Sequence, residues 1–280
     1  MKAVVVTGAS SGIGFGIAKG LTAKGMHVFA SVRSEDDARR LLGKLPNATP
    51  LLFDVTDQAA VRAGADTVRT ALKGRTLCGL VNNAGIAMPG PVLQQPVADY
   101  RKQIEVNLIG AFTVSQAFAP LLGADRTLSG PPGRIVNISS LGGKIGSPLL
   151  AGYCSAKHGL EGLSESLRRE LLLYGVDVVI VAPGAVKTPI WDKAQGSETR
   201  YADGDYGAAM KAMAALMEGA ARDGLEVERV ANLVHHVLTV PRPRVRYTLT
   251  PSYVFDWMLP RLLPSRWIDR LFARRLSLMR

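Results

Sequence analysis

The chain has 280 residues and a formal net charge of +11, with 34 lysines and arginines against 23 aspartates and glutamates. That length suits one large α/β domain with a sizeable core, and nothing indicates a second domain. Its two cysteines, Cys78 and Cys154, cannot form a disulfide framework and lie in no CxxC or Cys/His cluster, so no metal site is predicted.

The positive charge is concentrated near the C-terminus. Residues 241–280 hold nine arginines against Asp256 and Asp269, a net charge of +7, which leaves +4 for the first 240 residues. No recognisable nucleic-acid-binding module accompanies this charge, so we expect no nucleic-acid partner.

Short apolar runs alternate with longer helical patterns along the chain. This alternation predicts βα units and hence a Rossmann-type, doubly wound parallel sheet in a single α/β domain. The predicted strands are residues 3–6, 27–32, 51–53, 80–81, 134–138 and 176–182.

A glycine-rich loop, residues 7–14, follows the first predicted strand and leads into a helical pattern. Such glycines let the backbone approach a pyrophosphate, whose charge is stabilised by free amides and the dipole at a helix N-terminus. An ordinary turn is the alternative, but the position after an N-terminal strand favours a dinucleotide site. The loop residues expected to bind it are Gly8, Ser10, Ser11, Gly12, Ile13 and Gly14.

Arg33 follows the second predicted strand, where dinucleotide folds often place an acidic residue that binds the adenosine ribose. A guanidinium can instead hold a 2′-phosphate through two parallel hydrogen bonds. Arg33 therefore predicts NADP as the cofactor, with NAD left open. The alternative is that Arg33 is a solvated cation paired with Glu35 or Asp36.

Tyr153 and Lys157 have the i,i+4 spacing of neighbours on one helix face. A free tyrosine, with a pKa near 10, transfers protons poorly at neutral pH, and a nearby ammonium group should lower that pKa. The pair therefore predicts proton transfer beside the dinucleotide. His158 should project from another helix face, as a packing residue.

Together with Asn82-Asn-Ala-Gly85, Asn107 and Ser140, these motifs resemble the short-chain dehydrogenase/reductase family over about residues 1–190. The resemblance implies that Ser140 holds the substrate oxygen while its charge changes. It further implies that Lys157 binds the nicotinamide ribose and that the backbone carbonyl of Asn107 holds a water in a proton relay. The implied catalytic group is Asn107, Ser140, Tyr153 and Lys157.

The same resemblance assigns residues to the rest of the cofactor. Asp54 would accept a hydrogen bond from the adenine amine, with a role as helix N-cap as its alternative. The loop around Asn83 would close over the adenosine ribose, and Val186 and Thr188 would hold the carboxamide. The other implied cofactor-binding residues are Val55, Ala84, Gly85, Tyr153, Lys157, Pro183 and Gly184.

The residues around Tyr153 resemble the hydroxysteroid and retinol dehydrogenase branch of the family. That branch implies an oxidoreductase that interconverts a secondary alcohol and a ketone on a bulky apolar substrate. Two alternatives stay open: a cofactor-binding regulator or scaffold without turnover, and an NAD-dependent dehydrogenase of a small hydroxy compound.

Residues 1–250 would form the catalytic domain, with a substrate lid at about residues 190–222. Within the lid, Met210, Met213 and Met217 fall on one helical stripe, which suits either an apolar ligand or ordinary core packing. A homo-oligomer, either a dimer or a tetramer, is implied through the helices that carry Asn107 and Tyr153.

Residues 251–280 would form a basic amphipathic extension of the same domain. A helix from Ser265 could align apolar residues on one side, and Trp257 and Trp267 favour an apolar–aqueous boundary. These features predict peripheral contact with anionic lipid, with packing on the pocket or on a partner subunit as the alternative. The expected side chains along that stripe are Ile268, Leu271, Phe272, Arg275 and Met279.

The N-terminus passes directly into the first predicted strand, without the pattern of a signal peptide. No apolar run approaches the roughly 18 residues of a membrane-spanning helix. We therefore expect a cytoplasmic protein, with membrane association left open by the C-terminal extension.

Overall fold

The computed structural model describes residues 2–188 and 197–279. Seven parallel strands form one sheet in the order β3-β2-β1-β4-β5-β6-β7, which confirms the Rossmann-type prediction. The strands are β1 Ala3–Val6, β2 His27–Val32, β3 Thr49–Leu52, β4 Gly79–Asn82, β5 Arg134–Ile138, β6 Asp177–Pro183 and β7 Arg246–Leu249.

Helices connect the strands and continue beyond them. Short 3-10 or π turns interrupt or extend several of these helices, notably at Glu105–Ile109 and Val254–Met258. The α-helices are α1 Gly12–Ala23, α2 Glu35–Lys44, α3 Gln58–Leu72, α4 Val97–Ile104, α5 Gly110–Phe118, α6 Ala151–Glu170, α7 Ser197–Arg200, α8 Gly207–Asp223, α9 Val227–Thr239, α10 Leu259–Leu262 and α11 Ser265–Arg275.

Apolar layers cover both faces of the sheet. Because successive strand residues point to opposite faces, Val4 and Val6 of β1 pack with α1, α2 and α9, whereas Ala3 and Val5 pack with α3 and α5. Burial on both faces explains why the strands are continuous apolar runs rather than alternating patterns. It also leaves the carboxyl ends of the strands as the place for polar chemistry.

The seventh strand, β7, was not predicted. Its residues are half-buried, and it pairs with β6 from Ile180 against Arg246 to Pro183 against Leu249 at one edge of the sheet. The edge position explains its weak apolar pattern. The strand carries Arg246, whose contacts are described below.

The stretch Val97–Leu122 is one continuous helical rod with a π turn in its middle. An 18-residue window within it has a mean hydropathy of 1.2, so by length and composition alone it could cross a membrane, which corrects the expectation that no apolar run approaches that length. In this fold the rod packs against α3 and α6 as a helix of the domain.

The predicted lid, residues 190–222, lies partly outside the described residues, and α7 and α8 are its described elements. Met210, Met213 and Met217 share the inner face of α8, as the stripe predicts. They are buried in a third apolar cluster with Leu149 and Leu276, which favours the core-packing alternative.

Candidate active site

A cleft of about 780 Å³ lies across the carboxyl ends of the strands. In doubly wound folds ligands bind there, where the strand order reverses, here between β1 and β4. Every site residue expected from the sequence lines this cleft except Gly14 and Asn107. The chain therefore brings its separate motifs together along one groove.

Gly8 and Gly14 shape the first part of the cleft because neither residue has a Cβ atom. Gly8 has a φ of +64°, a conformation that L residues rarely adopt. A Cβ on Gly14 would lie 2.3 Å from the carbonyl oxygen of Gly8 and 2.4 Å from Nδ2 of Asn83. Gly14 therefore serves the close packing of loop and helix, while Gly8, Ser10, Ser11 and Gly12 face the cleft.

Two hydroxyls that the sequence analysis did not select hold this loop in place. Oγ1 of Thr7 accepts hydrogen bonds from the backbone N–H groups of Asn83 at 2.9 Å and Ala84 at 3.1 Å. Oγ of Ser31 accepts from the N–H of Gly8 at 3.1 Å. A serine within an otherwise apolar strand was the sequence signal from which the Ser31 contact could have been predicted.

Arg33 is exposed at the cleft's rim, directly after β2. The described ion pairs do not join it to Glu35 or Asp36, and Asp36 pairs instead with Arg39. Among the described residues Arg33 is thus a solvated cation, as the alternative expects, but without the expected ion pair. Its side chain lines the cleft directly after β2, the end of the strand at which dinucleotide folds bind the adenosine ribose.

Asp54 lines the cleft without capping a helix. Its Oδ1 accepts from the backbone N–H and the hydroxyl of Thr56, at 2.9 and 2.7 Å. The cap of α3 is Asp57, which accepts from the N–H of Ala60 at 3.0 Å. The N-cap alternative for Asp54 is therefore wrong.

Helix α6 places Tyr153 and Lys157 on one face, opposite Ser140 at the end of β5. The hydroxyl groups of Tyr153 and Ser140 lie close enough to interact, and this interaction lowers the pKa of Tyr153. Nζ of Lys157 donates to the carbonyl oxygen of Ile138 at 2.9 Å and lies 5.8 Å from the centroid of the Tyr153 ring. Three chemically active groups thus converge at the inner wall of the cleft.

Burial dominates the protonation of this cluster. It raises the pKa of Tyr153 to about 12, against the opposing effect of the nearby Ser140 hydroxyl. It lowers the pKa of Lys157 to about 8. The expected lowering of the tyrosine pKa by the lysine is therefore outweighed here, and at neutral pH both groups carry their protons.

Asn107 lies in the π turn between α4 and α5 and is buried. Its Oδ1 accepts from the N–H of Ile86 at 2.7 Å, and its Nδ2 donates to the carbonyl of Ile86 at 2.8 Å. The side chain therefore holds the loop after β4 rather than lining the cleft. The π turn itself is the kind of helix distortion often found at functional sites.

Comparison with known proteins establishes the family. A family model described as short chain dehydrogenase matches residues 2–199. The chain belongs to the short-chain dehydrogenase family. It is therefore an NAD(P)-dependent oxidoreductase with the fold predicted above.

Relatives of this short-chain dehydrogenase match it over nearly its whole length. It is 37% identical to an NADPH-dependent 3-dehydrocapnine reductase from Ornithobacterium rhinotracheale, covering 99% of this chain and 98% of the relative. It is 34% identical to retinol dehydrogenase 7 from Rattus norvegicus, covering 94% of this chain and 85% of the relative. Among solved structures, a short-chain dehydrogenase from Streptomyces avermitilis superposes with a TM-score of 0.76 at 26% identity, covering 99% and 97%.

The remaining lining of this dehydrogenase's cleft is largely apolar. Phe272 reaches it from α11, so the C-terminal extension packs on the pocket, as the alternative to lipid contact predicts. Ile268 and Phe272 of α11 and Leu276 directly after it face the protein, whereas Leu271, Arg275 and Met279 of the expected stripe are exposed. Other apolar side chains in the lining include Ile86, Ala87, Met88, Leu141, Ile145, Leu150 and Ala220.

Proposed function

We propose that this protein is an NADP(H)-dependent reductase of a ketone in a bulky apolar molecule, with the reverse alcohol oxidation as its back reaction. The observation that carries the proposal is that Tyr153 and Ser140 line one cleft with interacting hydroxyl groups, between the glycine loop and an apolar wall. A proton donor, an oxygen-binding hydroxyl and space for an apolar body thus share one cleft.

The residues present fit a nicotinamide dinucleotide. Gly8 and Gly12 have left-handed φ angles of +64° and +57°, and the N-terminus of α1 opens toward the cleft. Ser11, the residue before α1, makes no capping bond with its side chain, so its hydroxyl is available to a phosphate. Arg33 favours NADP over NAD, in agreement with the NADPH dependence named for one relative.

Bound in this cleft, the cofactor would supply a hydride. The chain's own residues would donate a proton to the carbonyl oxygen and stabilise the negative charge that develops. Tyr153, protonated at neutral pH, would donate its proton to the carbonyl oxygen as that oxygen gains electrons. Ser140 accepts from the N–H of Gly142 at 3.1 Å, which fixes its hydroxyl beside Tyr153, where its O–H would donate to the substrate oxygen. Lys157, positively charged below its pKa of about 8, would stabilise the phenolate left on Tyr153.

A bulky apolar substrate is supported by the cleft wall. Leu141, Ile145, Leu150 and Phe272 offer apolar contact with few polar partners, which suits a rigid or long hydrocarbon body. The relatives named for 3-dehydrocapnine and for retinol agree with a hydrophobic class rather than a small hydroxy compound. A regulator without turnover has no need of the assembled Tyr153, Ser140 and Lys157.

The test is a substrate panel with NADPH oxidation as the measurement. Steroid ketones, retinal and long-chain ketones form one arm, and small hydroxy-ketones form the other, each run with NADPH and with NADH. Turnover confined to the apolar arm supports the proposal. Turnover only in the small-molecule arm with NADH would favour the alternative dehydrogenase, and none in either arm would favour the regulator.

We further infer a homo-oligomer formed through the long helices that carry Asn107 and Tyr153. Exposed apolar side chains on and just after these helices support it, among them Phe112, Leu172 and Leu173. Isolated large exposed hydrophobics are ordinary, but a set on neighbouring helices favours a protein partner. Light scattering of the wild type and of Phe112→Glu tests this, and a monomeric wild type would refute it.

We also propose that the C-terminal extension contacts anionic lipid, so that a cytoplasmic enzyme could reach a water-insoluble substrate. Phe255, Leu262 and Trp267 are 70%, 74% and 59% exposed although all are large and apolar. The arginines of α10 and α11 lie beside them, a combination that suits a membrane surface. Pocket packing through Phe272 and lipid contact through the outer side chains are compatible.

A further inference from the structure

A buried carboxylate lies beside the catalytic cluster without belonging to it. Glu161 follows Lys157 by one helical turn in α6 and is 1% exposed. A buried charge is costly unless it is paired and hydrogen-bonded, so its partners identify its role.

Glu161 has three partners from separate parts of the chain. Its Oε1 accepts from the hydroxyl of Ser139 at 2.9 Å and from Nη2 of Arg246 at 3.0 Å. Its Oε2 accepts from Nε of Arg246 at 3.2 Å and lies 3.4 Å from Nζ of Lys144. The arginine contact is bidentate, the geometry that fixes both position and orientation.

Two of these partners flank Ser140. Ser139 precedes it, and Lys144 follows the short 3-10 turn Leu141–Gly143 that begins directly after it. This turn is packed so closely that a Cβ on Gly143 would lie 2.8 Å from Oε1 of Glu161. We call residues 139–144 the serine segment. Glu161 therefore connects both ends of the serine segment to helix α6, which carries Tyr153.

Arg246, the third partner, connects Glu161 to the C-terminal extension. Arg246, on the edge strand β7, lies over the ring of Trp257 at 4.1 Å from its centroid, and Arg261 lies at 4.4 Å from the same centroid. Trp257 is buried although much of the surrounding extension is exposed. A contact path thus runs from the extension through Arg246 and Glu161 to the serine segment.

We propose that Glu161 and Arg246 are positioning residues that set the distance between Ser140 and Tyr153, with Trp257 as their outer support. This inference rests on the proposed reduction, in which Ser140 and Tyr153 must bind one carbonyl oxygen together. Misplacement by about 1 Å can cost a hundredfold in rate, so a small shift of the serine segment has a large effect.

The central experiment is a double-mutant cycle between Glu161→Gln and Ser140→Ala. Glutamine keeps the shape and an acceptor for Ser139 but removes the charge that orders Arg246 and Lys144. We expect Glu161→Gln to lower kcat between about tenfold and a hundredfold, with the Kd for NADPH unchanged. In the Ser140→Ala background it should lower kcat by less than about twofold, because the group it positions is absent.

Asp177→Asn is the matched control. It removes the carboxylate that pairs with Arg134 at 3.1 Å, in a link between β5 and β6 at the opposite end of the strand that leads to Ser139. It should lower thermal stability with kcat unchanged. An equal loss of kcat from Glu161→Gln in both backgrounds, or a comparable loss from Asp177→Asn, would overturn the positioning role.

Two further variants keep the inference testable if Glu161→Gln fails to fold. Arg246→Lys keeps a charge for Glu161, whereas Arg246→Met removes it, so lysine should recover most of the kcat that methionine loses. Equal kcat for the two variants would refute the role of the ion pair. Failure of the proposed function has a separate signature: the wild type itself would then oxidise no NADPH with the apolar ketones, whereas failure of the positioning role leaves that wild-type turnover intact.

Discussion

Lys157 lies one helical turn after Tyr153, yet its ammonium group donates to the carbonyl oxygen of Ile138 at 2.9 Å, in the strand that leads to Ser140. This bond joins helix α6 to the end of β5 and holds the lysine beneath the tyrosine ring. Burial then leaves Tyr153 protonated and Lys157 only moderately basic. Both groups therefore carry their protons at neutral pH, the protonation states that the proposed reduction requires.

Tyr153→Phe should abolish turnover while leaving the Kd for NADPH nearly unchanged, because only the proton-donating oxygen is lost. Positioned acid–base groups contribute at least about a hundredfold, so more than about one hundredth of the wild-type kcat would contradict the assignment. Tyr201→Phe is the matched control, since that buried hydroxyl has no hydrogen-bond partner among the described residues. It should leave kcat unchanged.

The reduction should depend on pH through Lys157. Its pKa is about 8 and that of Tyr153 is about 12, so both are protonated at lower pH and the lysine loses its proton first. We expect kcat/KM for NADPH, which reports the free enzyme, to be constant at lower pH and to fall as the pH rises through about 8. A profile that stays flat through that region would exclude Lys157 as the controlling group.

Arg33→Asp should reverse the cofactor preference. A carboxylate accepts from the ribose 2′-hydroxyl of NAD but repels the 2′-phosphate of NADP. Titrations of wild type and variant with both cofactors measure the effect, and Arg39→Asp, the same charge change on the exposed face of α2, serves as the control. A wild type that binds NAD more tightly than NADP would disprove the role of Arg33.

The local motifs were predictable because each consists of residues that are consecutive in the sequence or spaced by one helical turn. β1, β2 and β5 have the predicted bounds, and Tyr153 and Lys157 share a helix face as their spacing requires. The glycine loop, Arg33 and the segment after β6 also meet in one cleft, because parallel strands end at the same edge. That much follows from topology.

Long-range pairings were not predictable in the same way. Glu161 and Arg246 are 85 residues apart, and Arg246 lies on an edge strand whose half-buried residues give no strong apolar pattern. The pKa of Tyr153 likewise depends on how deeply the hydroxyl is buried, which the spacing to Lys157 does not specify. The inward side of α11 depends on which face meets the protein, so Leu276, the buried residue directly after the helix, was missed.

Phe272→Ala should weaken binding of an apolar substrate without affecting NADPH. The ring lines the cleft from α11, so its loss removes apolar contact and admits water. We expect KM for the substrate to rise about tenfold or more, as for the loss of a few methylene contacts, with the Kd for NADPH unchanged. Phe255→Ala, on the exposed part of the same extension, should leave KM unchanged in detergent-free solution.

Lipid contact is tested by sedimentation with anionic vesicles of phosphatidylserine and phosphatidylcholine. Apolar insertion and arginine attraction act together, so binding should be strong at low salt and weaken as salt screens the charges. Phe255→Ser with Trp267→Ser should abolish it without disturbing the fold, because both side chains are exposed. Val92→Ser with Leu93→Ser, an equally exposed apolar pair before α4, should have no effect. Wild-type protein that stays in the supernatant at low salt would refute lipid contact and leave packing on the pocket as the role of the extension.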